Sequence, residues 1–356
     1  MQPGDMDDEC KPARAPSRFS LSRNRLLHSY ARGPLQVVLF LVVTSGLPGQ
    51  TADAPQPEMR YRQLRDETGR AVRVPQPVRR IVSLAPSLTE TVYALGLQDL
   101  LVGDTDYCDF PAAARQKPKV GGPVNPSLEA IAALHPDLVL VTKNLNRLET
   151  VQALAGMGIP SYATAPQTVD AIIAGARRLA DLLGAPEVGT ALAKELHDRL
   201  VETKQKISGF PARRVLFVVW RDPLISIGKK TFIANALEQS GGVSVVDSLQ
   251  NWPQVSLEEV ARLQPEYLVF VESQGDKATR DLDVLDSLPG WRVLDAVRKR
   301  RYAVVSDAVN RPGPRIVSAI QDLARQLHPQ AFSQQPESRQ PQGNSLTVAQ
   351  EHACAH

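Results

Sequence analysis

The stretch SLEAIAALHPDLVLV, starting at Ser127, and the stretch SLEEVARLQPEYLVFV, starting at Ser256, are near copies within one chain. Each opens on a serine suited to cap a helix, and apolar residues follow at helical spacing: Leu128, Ile131 and Leu134 in the first, Leu257, Val260 and Leu263 in the second. Pro136 and Pro265 then stop the helix, because proline lacks the N–H that a continuing turn needs. An acidic residue and an unbroken apolar run come next, Leu138 to Val141 and Tyr267 to Val271, which reads as a strand buried on both faces of a parallel sheet. The duplicated unit is a helix feeding a strand.

The likeness extends upstream. Arg79-Arg80 leads into IVSLA and Arg213-Arg214 into VLFVV; a helix ending at Gly96, or at Gly241-Gly242, follows each, and then a second strand, LLVGD to Asp104 or VSVVD to Asp247. Strands alternating with helices imply parallel sheets with right-handed crossovers. The fold class is therefore α/β, with two Rossmann-like lobes over residues 78–185 and 211–329. Between them, Pro186 opens a segment in which Val188, Leu192, Leu196, Leu200 and Ile207 keep an apolar face, so one long helix over residues 186–210 joins the lobes. A single rigid connection predicts a clamp that opens by a small angle.

The ends of the chain follow other rules. Arg18, Arg23, Arg25 and Arg32 precede the apolar run Leu35 to Leu47, and Ala52-Asp53-Ala54 supplies small residues at a cleavable position, so residues 1–54 read as an export signal. No cysteine follows the run, which argues against a lipid-modified start. Residues 55–77 form a proline-rich lead-in with one short strand near Ala71 to Val74, and the Gln-, Pro- and Ser-rich residues 330–356 form a disordered tail.

Charge and motif content exclude several classes. The signal takes six of 41 Lys/Arg and five of 38 Asp/Glu with it, leaving a formal charge of +2 and no clustered basic face for nucleic acid. Cys10, Cys108 and Cys354 allow one disulfide at most and have no metal-binding spacing, and His135, His197 and His328 stand far apart. G-x-S-x-G, Walker A, H-E-x-x-H and G-x-G-x-x-G patterns are absent, so the chain is not expected to be an enzyme.

The phrases LAPSLTE (Leu84 to Glu90), YCDFP (Tyr107 to Pro111), SLEAIAALHPDLV, NWPQVSLEEV (Asn251 to Val260) and RPGPRIV (Arg311 to Val317) run in order through the two lobes. In this setting the chain resembles the helical-backbone class of ABC-transporter substrate-binding proteins, which serve vitamin B12, haem, ferric siderophores and some metal ions. The phrases are most similar to those of its cobalamin-binding branch. The resemblance implies a monomeric periplasmic protein with no cofactor of its own. It would carry a small metal chelate, a corrinoid first, to a permease and ATPase complex at the inner membrane. It places Tyr107 and Trp252 in the inter-lobe pocket and assigns Glu129 and Glu258, one per lobe, to docking on the permease. The same carboxylates also suit the positive end of a helix, a contribution of about 0.3–1 kcal/mol.

Trp220, closing the strand that begins at Val215, is a third candidate aromatic for the pocket. Arg311 and Arg315 flank the start of the helix carrying Ile316, Ile320, Leu323 and Leu327, where the macrodipole disfavours cations, so an anionic or amide-rich partner is expected there. The resemblance makes that partner the ligand. One departure leaves the ligand open among a corrinoid, haem and a ferric siderophore: the places where cobalamin binders of this type often carry tryptophans read GGPVN (Gly121 to Asn125) and VTKN (Val141 to Asn144).

Overall fold

The duplicated phrase folds the same way both times. In the computed structural model, which describes residues 60–272, 282 and 284–333, Ser127 and Ser256 cap helices α2 (Leu128–Ala133) and α7 (Leu257–Leu263). Their hydroxyls accept from the N–H of Ala130 and of Glu259. The residue before each proline, His135 or Gln264, takes a positive φ, and the chain turns into β5 (Leu138–Thr142) or β11 (Tyr267–Val271). Arg80 and Arg214 each donate to the last turn of their helix, to Leu134 O and Leu263 O, both at 2.6 Å. These bonds satisfy carbonyls that a helix end leaves open. The duplication thus reaches individual hydrogen bonds.

Each lobe is built on four parallel strands. In the first, β3 (Ile81–Ser83), β4 (Leu101–Asp104), β5 and β6 (Ser161–Thr164) lie in the order β4-β3-β5-β6. In the second, β7 (Arg213–Val218), β10 (Gly242–Ser244), β11 and β12 (Tyr302–Val305) lie in the order β10-β7-β11-β12. Setting aside the small hairpin of β8 (Trp220–Arg221) and β9 (Leu224–Ile225), both sheets have the same second-first-third-fourth arrangement. The order reverses beside the first strand, and α/β folds bind ligands in the crevice outside the carboxyl ends of strands at such a switch point.

The joining helix, α5 (Pro186–Ile207), is packed to both sides. Leu196, Leu200 and Ile207 are buried, whereas Val188, expected on the apolar face, is exposed. Leu192 touches both the core around Ile81, Leu138 and Leu140 and the core around Phe217, Val269 and Ile320. Helix α4 (Val169–Leu182) crosses close to α5 because Gly189 has no side chain there; a Cβ would fall 2.4 Å from Ala180 Cβ. Val169, Ile172 and Ile173 of α4 enter the second core while Leu179, Ala180 and Leu182 of the same helix belong to the first, so α4 also ties the lobes together. Each such aliphatic side chain removed from water contributes about 1.5–3 kcal/mol.

Three expectations are corrected. The lead-in is an antiparallel hairpin of β1 (Arg60–Arg65) and β2 (Ala71–Gln76), held to α4 by ion pairs of Arg62 with Asp181 and of Glu67 with Arg178. Strand β10 ends at Ser244 because the chain turns there, Asp247 N–H donating to Ser244 O. The proposed tail begins as a short helix, Pro329–Ser333. The export signal and the remainder of the tail lie outside the described residues.

His328 closes the second lobe. It is fully buried, its Nε2 lies 3.0 Å from Gly241 O and its Nδ1 has no partner, so the neutral ring with the proton on Nε2 fits the site. Burial pushes the imidazole pKa down, and Arg213 adds to this. A pKa below the unfolded value of about 6.5 means that the unfolded chain takes the proton first, so stability falls as pH drops through and below that value. His328→Gln, which keeps a donor for Gly241 O, is expected to flatten this loss. Thermal melts of both proteins at pH 7.5 and 5 check it; equal losses on acidification would contradict it.

Candidate ligand cleft

A cavity of 1120 Å³ lies where the carboxyl ends of β3, β5 and β7 converge between the lobes. Pockets for drug-sized ligands measure roughly 300–1,000 Å³, so this one suits a macrocycle. Tyr107 enters from the first lobe and Trp252 from the second, 64% and 46% exposed. Gly122, Pro123, Val124 and Asn125 line the cavity together with Thr142, Asn144 and Leu145. The two stretches without tryptophan therefore do border the cleft, and Val124 and Leu145 supply apolar surface there.

The Tyr107 loop is fastened from beneath. Lys119 Nζ donates to Asp104 Oδ1 at 2.7 Å and to the carbonyls of Cys108 and Ala114. Burial lifts the Asp104 carboxyl to about 6 against the pull of Lys119. Cys108 is a buried free thiol within 3.2 Å of the Thr89 and Thr105 hydroxyls, and burial pushes its pKa up. A thiol so held is a packing residue, not a reactive one.

Arg311 also lines the cavity, but three carboxylates already engage its guanidinium. Nη1 donates to Glu90 Oε1 at 2.7 Å and to Asp109 Oδ1 at 2.8 Å, and Nη2 lies 2.9 Å from Asp307 Oδ2. Arg315 does not line the cavity. Its Nη2 lies 3.0 Å from Asp307 Oδ1, its Nε 3.2 Å from Glu90 Oε2, and its guanidinium stacks 3.9 Å above the Phe110 ring. The anions that offset the unfavourable helix-start cations thus belong to the protein itself. Burial opposes the charge on Arg311, but the bonds to Asp109 and Glu90 outweigh it and push its pKa further up.

Glu90 carries no role in the sequence reading. It sits on α1 (Pro86–Ala94) with its side chain 1% exposed, and burial raises its pKa despite the opposing Arg311 bond. Only its place in LAPSLTE could have marked it, because a single glutamate in a helix ordinarily reads as a surface residue.

Trp220 is not among the lining residues. It stands 61% exposed on β8, its indole donating to Asp222 O at 2.7 Å, while Val219 beside it faces the cleft. Alternation along an extended chain turns neighbouring side chains to opposite sides. Glu129 and Glu258 are both exposed in the first turn of their helices. A hydrogen bond from a backbone N–H and one from the Ser127 hydroxyl, at 3.1 Å, pull the Glu129 pKa down.

Among the described residues, the remaining polar lining is uncharged except for Lys230. Asn125, Asn144, Gln167, Asn251 and Asn310 present carboxamides, and Ser87, Thr142 and Thr231 present hydroxyls. Among the described residues, no group of three or more His, Cys, Asp or Glu side chains could hold a metal ion.

Comparison with known proteins agrees with this architecture. The family model described as periplasmic binding protein matches residues 81–308. A vitamin B12-binding protein of Photorhabdus laumondii is 30% identical over 250 residues, covering 70% of this chain and 88% of that one. Among solved structures, the periplasmic vitamin B12-binding protein BtuF of Vibrio cholerae superposes with a TM-score of 0.62 at 28% identity, covering 72% of this chain and 99% of that one. The periplasmic heme-binding protein RhuT of Roseiflexus sp. superposes with a TM-score of 0.64 at 27% identity, covering 71% and 99%. Two like lobes on one helix, a cleft at their strand ends and a family match across both make this chain a member of the periplasmic binding protein family, in the helical-backbone class that forms the substrate-binding component of ABC transporters.

Proposed function

We propose that the protein works in the periplasm, captures a corrinoid such as cobalamin or cobinamide in the cleft, without turnover, and hands it to an inner-membrane permease. The observation that carries this reading is the lining. A corrin ring bears amide arms around an apolar macrocycle, and five carboxamides between Tyr107 and Trp252 suit such a rim. The relatives named for vitamin B12 support the same choice.

Haem is the second reading. Among the described lining residues Tyr107 is the side chain suited to ligate ferric iron, and RhuT is a heme-binding protein by name. Against it, two propionates need cations, and of the described lining residues only Lys230 and the engaged Arg311 are basic. Glu129 and Glu258 are proposed to dock on the permease, one from each lobe. Titrating the purified protein with cyanocobalamin should quench tryptophan fluorescence through Trp252, with saturation at one equivalent. Quenching by haemin alone would reverse the order of the two readings.

A further inference from the structure

Three carboxylates and two guanidiniums meet beside the cleft, and Arg311 is the member of the group that lines it. Glu90 and Asp109 come from the first lobe; Asp307, Arg311 and Arg315 come from the second. We propose that Glu90 is a positioning residue that sets the charge selectivity of the cleft, by holding Arg311 among the protein's own carboxylates so that its guanidinium does not pair with a ligand carboxylate, which admits neutral macrocycles and refuses dicarboxylate ones. This rests on the corrinoid reading and adds to it the residue that enforces the choice.

Glu90 is placed to do so by geometry. Its Oε1 accepts a hydrogen bond from Arg311 and its Oε2 lies 3.2 Å from Arg315 Nε without a hydrogen bond, both from the opposite lobe, while Asp307 grips both arginines from their own side. The grip leaves little slack. Gly313 lies against the start of α1, where a Cβ would fall 3.1 Å from Ser87 O. Arg311 therefore cannot swing toward a ligand without leaving carboxylates that are largely out of water, and an unpaired charge there is costly. Held in this way, Arg311 offers a ligand carboxylate no counter-charge that the protein's own carboxylates have not already taken. A neutral ligand needs no such counter-charge.

The probes are haemin, with two carboxylates, and dicyanocobinamide, with none. In Glu90→Gln, haemin affinity is expected to rise at least about tenfold, while dicyanocobinamide affinity changes by less than about threefold. Glu90→Asp keeps the charge and should leave haemin binding near the wild-type value. Asp307→Asn removes one counter-charge at a more exposed position and should act in the same direction as Glu90→Gln, which keeps the test open if the buried substitution fails to fold. A merely structural role for Glu90 would weaken both ligands together. Haemin affinity that stays level or falls in folded Glu90→Gln, or in Asp307→Asn when the former does not fold, overturns the assignment. Wild-type protein that ignores dicyanocobinamide and cyanocobalamin and takes haemin overturns the ligand reading instead, and the haemin ratio between variant and wild type then still decides the role of Glu90.

Discussion

Replacing Glu129 and Glu258 together by arginine should abolish ligand uptake through the reconstituted transporter while leaving ligand affinity in solution unchanged. Both carboxylates are exposed and both occupy the same position of the duplicated phrase. A role in complementing the helix macrodipole contributes only about 0.3–1 kcal/mol each, and the helices would survive its loss. A docking role has a different scale. Reversal sets like charges against one another at an interface, which costs several kcal/mol, and each 1.4 kcal/mol is about tenfold in association. Uptake should therefore fall by more than about 100-fold in the double variant, with each single variant intermediate. Normal uptake by the double variant, measured with folded protein in proteoliposomes, would reduce the two glutamates to helix-start carboxylates.

Trp252→Ala is expected to weaken corrinoid binding by about 30–150-fold. The ring is half exposed on a wall of the cleft, and a flat macrocycle laid on it covers apolar area worth about 2–3 kcal/mol. Trp220→Ala, outside the lining, should change affinity by less than about threefold and so serves as the control. Tyr107→Phe separates the two ligand readings. A corrinoid that packs on the ring loses little with the phenol oxygen, whereas a haem whose iron is held by that oxygen loses most of its affinity. Titration of the three variants measures all of this, and a Trp252→Ala protein that binds as well as wild type would remove the stacking wall from the account.

The duplicated lobes were legible because their signals are local. A capping serine, a helix-stopping proline and a strand of unbroken aliphatics each act within a few residues, and each recurs. The β1–β2 hairpin was half missed because Arg60–Arg65 is exposed along nearly all of its length and shows no apolar alternation. Tyr107, Trp252 and Arg311 could be placed in the cleft only through resemblance, and the cavity brings those three together. Trp220 and Arg315 could not be sorted from them by type. Which way each points depends on strand alternation in one case and on Glu90 and Asp307 in the other. The Glu90–Arg311 pair spans 221 positions, and no periodicity or spacing rule reaches that far. What a distant carboxylate does to a cation is legible only once the chain is folded.

The central claim is that this cleft selects a neutral, amide-rimmed macrocycle. Isothermal titration calorimetry of the mature wild-type protein with cyanocobalamin, dicyanocobinamide, haemin and a ferric trihydroxamate, each in separate runs, tests it most directly. The account predicts one-to-one binding of at least one corrinoid with a Kd of about 1 μM or tighter, corresponding to roughly −8 kcal/mol, and weaker binding of haemin and the ferric chelate by about tenfold or more. Tight binding of haemin or the ferric trihydroxamate, with no heat from either corrinoid, would contradict it.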